Sequence, residues 1–244
     1  MNDRAVSDIV GYVLVFSLIV ATVGVVTTVG FSTLDDRQGA ERVNNVERAF
    51  DVFAANVEDV YRDGAPSRAT EMRLAGGTLR FGEAVTVTIA DANDTNTNVT
   101  VSSRPLVYED GGTEIVYSGG AVIRSERAAA VMIRDPPFYA GDDTAVFPLV
   151  ETFRSSGPRT VSTEGTVRVT STSRSVSTDI PDELAEAEAY ELVVESPRAD
   201  AWARHLESRE WTGDVTHDDG AVVAEIDSDR IAISRAPVRL RLSE

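Results

Sequence analysis

Two histidines, His205 and His217, are the residues of this 244-residue chain best suited to proton transfer near neutral pH. Neither belongs to a His-x-x-x-His pair or accompanies a Gly-x-Ser-x-Gly elbow, the spacings that build a metalloenzyme or hydrolase site. His205 falls on a short predicted helix beside Trp202 and Leu206, and His217 at a hairpin tip. The acidic pairs Glu109-Asp110, Asp142-Asp143 and Asp218-Asp219 adjoin turn glycines or polar loops, so they read as solvated turns rather than paired catalytic carboxylates. The tip Asp91–Asn98 is rich in oxygen ligands but lacks the glycine and bidentate glutamate of a calcium hand, and reads as a solvated hairpin. It carries two glycosylation sequons, at Asn93 and Asn98. Tyr108, Tyr117, Phe138 and Tyr139 read as core at strand spacing, with an adhesive patch as the alternative. Thiol chemistry is excluded because the chain has no cysteine. The expectation is a protein without catalytic residues, cofactor or metal.

Charge narrows the partners. All 23 basic residues are arginine, against 40 acidic ones, for a net charge of −17. Such a surface argues against nucleic acid, whose phosphates reward basic clusters. Self-repulsion is strong in dilute buffer, and molar salt shortens the Debye length to about 3 Å. An acidic, lysine-free composition resembles that of proteins from salt-accumulating haloarchaea.

The elements that position these residues begin with an uncharged run, residues 9–34. A bilayer core about 30 Å thick is crossed by roughly 20 apolar helical residues, so the run predicts a single membrane span. Arg4 and the amino terminus favour an inside N-terminus and an outside C-terminal domain. Gly11, Ser17, Ala21, Thr22, Gly24, Thr27, Thr28 and Gly30 allow close approach of other helices.

The flank Arg4-Ala5-Val6-Ser7-Asp8-Ile9-Val10-Gly11 resembles the class III signal of archaeal type IV pilins. That resemblance implies cleavage between Ala5 and Val6 by a prepilin-peptidase-like enzyme, with Ser7, Asp8, Ile9, Val10 and Gly11 opening the assembly helix. Asp8 departs from the family pattern, which usually has proline there. The stretch from Tyr117 to Phe147, with the Trp202 helix, resembles an uncharacterised haloarchaeal pilin-related extracellular family. It adds a location and no chemistry. A plain signal anchor is the other reading of the same flank.

Beyond the run, Val43, Val46, Phe50, Phe53, Val57 and Val60 recur at steps of three and four, a heptad seam. Asp63-Gly64-Ala65-Pro66 should stop the helix. The seam reads as the spine for an outer domain. Both segments together make a helix of about 55 residues, roughly 80 Å long.

From residue 70 the apolar period becomes two. Gly76-Gly77 reads as a hairpin between Met72–Leu74 and Thr78–Phe81. Further strands are expected at 84–89, 98–101, 106–108, 113–117, 121–124, 129–133, 145–147, 166–170 and 190–195. A helix at 199–209, a hairpin at 215–226, and strands at 230–234 and 238–242 follow.

The fold class expected is α+β: a long N-terminal helix, half membrane and half amphipathic, then a mainly antiparallel β domain (sandwich or meander) with one short late helix. The organisation is a leader (1–5), an assembly helix (6–34), its continuation (35–63), a β domain (70–180) and a C-terminal α+β subunit (181–244), either separate from the β domain or continuous with it. The function expected is a non-enzymatic, minor pilin-like subunit of a surface filament, with membrane, processing enzyme and other pilin-like subunits as partners. The alternative is a signal-anchored extracellular domain that binds a partner or ligand.

Overall fold

The computed structural model describes residues 3–244 apart from Ala128, Asp142, Arg174, Asp179, Ile180 and Asp219; side chains at 3–10, 28–38 and 183 are also outside the description. The chain divides into two units, Met1–Asn44 and Asn45–Glu244. One helix, α1 (Asp3–Tyr61), is 59 residues long. It ends where Gly64 takes a φ of +71°, and the Ala65 N–H donates to the Asp59 carbonyl at 3.0 Å. A left-handed glycine of this kind satisfies carbonyls that the last turn leaves open.

Among the described residues, no helix is long and apolar enough to cross a membrane. The expected membrane span is therefore overturned. With it go the single-pass extracellular localisation, the signal anchor, the pilin-like assignment, and the membrane, processing enzyme and pilin-like subunits as partners. The proposed cleavage at Ala5 and Val6, and the side chains of Ser7, Asp8, Ile9 and Val10, lie outside the described residues, as do those from Thr28 to Leu34.

Strands follow in short order: β1 (Arg68–Arg73), β2 (Thr78–Phe81), β3 (Val85–Asp91), β4 (Asn98–Ser103), β5 (Leu106–Asp110) and β6 (Thr113–Ser118). Then come β7 (Ala121–Glu126), β8 (Ala129–Arg134), β9 (Tyr139–Ala140), β10 (Thr144–Arg154), β11 (Thr160–Ser162) and β12 (Thr166–Ser173). The short helix α2 (Asp182–Ala185), β13 (Tyr190–Glu195), α3 (Ala199–Glu207), β14 (Thr212–Asp218), β15 (Ala221–Ile226) and β16 (Arg230–Ser243) complete the chain. They form three sheets, ordered β1-β12-β16-β10-β9, β11-β2-β5-β6-β7-β8 and β14-β15-β13-β3-β4.

This corrects the sandwich or meander. The first sheet is mixed, because β10 and β16 run parallel from Thr144 opposite Arg230 to Arg154 opposite Leu240. Parallel neighbours need a long crossover, and everything from β11 to β15 supplies it. The Gly76-Gly77 hairpin is also overturned: β1 pairs with β12 while β2 pairs with β5 and β11. Gly77 is there for another reason. A Cβ on it would sit 2.4 Å from the ring of buried Tyr108. Strands from 181–244 enter two sheets, with β13 against β3 and β16 between β12 and β10.

The expected breaks at 147 and 234 are likewise corrected, since β10 and β16 are each one strand. Both change their buried face midway. In β10 the buried positions are Ala145, Phe147 and Leu149, then Val150 and Thr152; in β16 they are Ile231 and Ile233, then Ala236, Val238, Leu240 and Leu242. Leu149 stands opposite Arg235 and Val150 opposite Ala236, so the paired strands pass together from one core to another.

The central sheet separates those cores. On one face Val107, Val116, Ala121 and Ile123 join a cluster with Val85, Ile89, Phe147, Leu192, Trp202 and Ile233. On the other, Leu106, Tyr108, Ile115, Tyr117 and Val122 are buried too. There the ring of Phe53 meets Tyr117 edge-on at 5.0 Å. A sheet covered on both faces explains why β5, β6 and β7 read as unbroken apolar runs. All six seam residues from Val43 to Val60 are buried.

Candidate interaction surface

In the first unit, α1 between Gly11 and Thr27 is uncharged and exposed on every side. Tyr12, Val13, Leu14, Val15, Phe16, Leu18, Ile19, Val20, Val23, Val25 and Val26 are each 53–72 % exposed. Residues 12–16 alone cover more than a full turn at 3.6 residues per turn. A helix apolar all round is normally found buried, and contiguous exposed apolar surface of this extent marks an interaction site. Gly11 and Gly24 add room, since a Cβ on either meets nothing within 4 Å.

In the second unit, the charged flank of the helix is tied to the central sheet. Arg124 donates to Glu47 at 2.7 Å and pairs with Glu126, while Arg134 donates to Asp51 at 2.7 Å and Glu58 at 3.1 Å. Arg68 donates to Asp59 at 3.0 Å, and Asn56 to the Thr70 hydroxyl at 2.8 Å. Glu47, Asp51 and Glu58 lie four and seven residues apart, one stripe beside the seam. Its arginine partners lie on β7 and at the end of β8. A cleft of about 370 Å³ opens here between Glu58, Tyr61, Tyr117, Arg134 and Phe138. Burial, then the Glu58 charge, pushes the Tyr61 hydroxyl up to about 12, and burial raises Tyr117 further from its ordinary range. Both phenols therefore stay protonated at neutral pH, and Arg134 is already neutralised by two carboxylates. The cleft is a structural clasp.

His205 faces the core from α3. Its Nδ1 lies 3.2 Å from Asp135 Oδ1 and 3.1 Å from Arg209 Nη2, which itself donates to Asp135 Oδ2 at 2.6 Å. Burial first, and then the Arg209 charge, lowers its pKa below the ordinary 6.5, against the opposing pull of Asp135. The Ser208 hydroxyl donates to the His205 carbonyl at 2.6 Å, so this neighbour is aimed at backbone. A histidine kept neutral by the fold contributes stability above its unfolded pKa of about 6.5, lost as pH falls towards the depressed folded value. Urea unfolding should therefore show less stability at pH 5.5 than at pH 7.5. His205→Gln should flatten that dependence.

The other sequence-predicted residues scatter. His217 is exposed on β14, with Nε2 4.0 Å from Asp200. Tyr108 and Tyr117 are buried, Phe138 packs on Phe147 at 5.3 Å, and Tyr139 is exposed. No shared aromatic patch forms. In the tip, Asp91 accepts from the Asn93 N–H at 2.8 Å and Asp94 from the Asn96 N–H at 3.2 Å. The bond that the Asn96 side chain donates to Asp94 at 3.0 Å, and then the one from its N–H, lower the Asp94 pKa. Asn93 is exposed, whereas the Asn98 amide donates to the Thr95 carbonyl at 2.8 Å and accepts from Thr100 at 3.0 Å. Among the acidic pairs, Asp142 and Asp219 lie outside the described residues.

A family model described as a family of unknown function (DUF7289) matches residues 4–241. Comparison with curated proteins and with solved structures gives no match.

Proposed function

We propose, for a chain that belongs to the DUF7289 family of unknown function, the role of a non-enzymatic association module whose uncharged helical segment packs with the same segment of other copies. One observation carries this reading: eleven large apolar side chains, each more than half exposed, surround the helix between Tyr12 and Val26. A single partner helix covers one stripe, as a coiled coil does. Cover on every side needs two or more neighbours, hence a bundle of at least three chains. Identical segments suit each other because none carries a charge to desolvate, and Gly11 and Gly24 let backbones come close. A non-enzymatic role is supported by the use made of the titratable groups. His205, Tyr61 and Arg134 are held in structural contacts, and their shifts leave His205 and Tyr61 neutral.

Sedimentation of the full chain in molar salt, where repulsion between copies of charge −17 is screened, tests this. The full chain should sediment as a trimer or larger, Leu14→Glu/Leu18→Glu as a monomer, and Val52→Glu, an exposed site in the second unit, as the full chain does. A monomeric full chain at tens of micromolar overturns the reading.

A further inference from the structure

The net charge of −17 makes a convergence of arginines without acidic partners unusual for this chain. One exists where the three sheets meet. A cleft of about 470 Å³ is lined by Arg104, Arg154 and Arg159, with Phe81 and Phe153 as apolar walls and Ser102 beside them. Among the described residues no Asp or Glu lines it. Many of the chain's other arginines are paired: Arg62, Arg68, Arg80, Arg124, Arg134, Arg168, Arg198 and Arg209 each lie against a carboxylate. Arg104, Arg154 and Arg159 make no ion pair among the described residues.

Backbone bonds fix where these three arginines start. Arg104 follows β4, and its N–H donates to the Thr152 carbonyl at 2.9 Å. In return the Thr152 hydroxyl donates to the Arg104 carbonyl at 2.7 Å, and the Thr152 N–H donates to the Ser103 hydroxyl at 3.0 Å. Thr152 is fully buried, so this joint between β4 and β10 is rigid. Arg154 ends β10, opposite Leu240, and one nitrogen of its guanidinium, Nη1, donates to the Gly157 carbonyl at 2.8 Å. The Arg159 carbonyl accepts from the Phe81 N–H at 3.1 Å, which ties the last arginine to β2. Gly157, at a φ of +88°, holds the loop between them against β16, since a Cβ there would sit 2.5 Å from the Leu242 carbonyl oxygen.

We propose that this cleft binds a small organic anion, with sulfonate, sulfate or carboxylate groups on a planar or apolar frame. Guanidinium forks match such oxyanions in plane, and the two phenylalanines cover the frame. The volume lies in the range of small-molecule sites, whose apolar walls and few polar groups divide the same labour. The site lies entirely within the second unit and owes nothing to self-association of the helix.

The test uses pyrene trisulfonate, a planar fluorescent trianion, titrated by anisotropy against the full chain. The probe is expected to bind with an affinity that falls as salt rises. Arg104→Gln and Arg159→Gln should each weaken it tenfold or more, Phe153→Ala severalfold, and Arg168→Gln, a paired exposed arginine elsewhere, not at all. Circular dichroism confirms that each variant is folded, and Arg159→Gln, whose backbone contact survives substitution, serves if Arg104→Gln is not. Neutral hydroxymethylpyrene should bind at least tenfold more weakly. Absence of probe binding, equal binding of the neutral probe, or equal losses in Arg168→Gln would each overturn the proposal.

Discussion

Phe53→Ala is expected to destabilise the protein by about 3–5 kcal/mol, the cost of emptying a fully buried aromatic site. Phe53 has no exposed surface. Its ring meets Phe50 at 6.3 Å and Tyr117 at 5.0 Å, both edge-on. Truncation leaves a void between the helix and the central sheet that neither rigid element can close. A second effect compounds the first. Tyr117 lines the clasp with Glu58 and Arg134, so its loosening exposes ion pairs that work by being partly shielded. Chemical denaturation should show a lower midpoint with an unchanged slope. Val52→Ala, at an exposed position one residue earlier, should shift it by less than about 0.5 kcal/mol. Equal effects of the two substitutions would mean that the seam is not packed.

The second large effect is expected at Trp202→Ala, again about 3–5 kcal/mol. Trp202 is fully buried in the opposite core, its ring 6.2 Å from that of Phe138. It covers the turn after β6, where a Cβ on Gly119 would sit 3.8 Å from the indole. Loss of the indole removes the apolar contact of α3 with Phe138 and the turn after β6, and leaves the polar links of Arg204 to the Ala130 carbonyl and of Arg198 to Glu114. Amide exchange after this substitution should speed up in α3 and β8 before it does in β1 and β12, which belong to the other core. Uniform acceleration everywhere would show that the two cores are not separable.

The elements were legible wherever one period held. The seam from Val43 to Val60 keeps steps of three and four, and β3 with β4 alternates cleanly around a polar tip. The misreadings fall where a strand changes its partner layer. Between Ile233 and Ala236 the apolar period slips by one, and Pro237 follows. Proline cannot donate to a ladder, so the pattern resembles two strands with a break. The same slip at Leu149 and Val150 hid the second half of β10. The parallel pairing of these strands depends on contacts 86 residues apart by register, beyond any local signal. Gly76-Gly77 looks like a hairpin because close approach to Tyr108 and a tight turn ask for the same residue.

The interaction surface is visible in the sequence as an uncharged run, but its length alone says too much. Counted over 9–34 it suggests a crossing, whereas among the described residues no helix is long and apolar enough for one. The arginine cleft had no sequence signal at all. Arg104, Arg154 and Arg159 come from separate stretches of chain, and only the meeting of three sheets brings them together. His205 was legible as a helical residue beside Trp202 and Leu206, but its partners Asp135 and Arg209 were not.

Cross-linking offers the most direct measurement on self-association, since the chain has no cysteine of its own. Single cysteines at Val13, Leu14, Val15 and Phe16 sample the full circumference of the helix. If the segment is surrounded by copies of itself, mild oxidation should give disulfide-linked dimers at all four positions, with none at Val52. Cross-links at Val52 as frequent as these, or none at any of the four, would contradict the account.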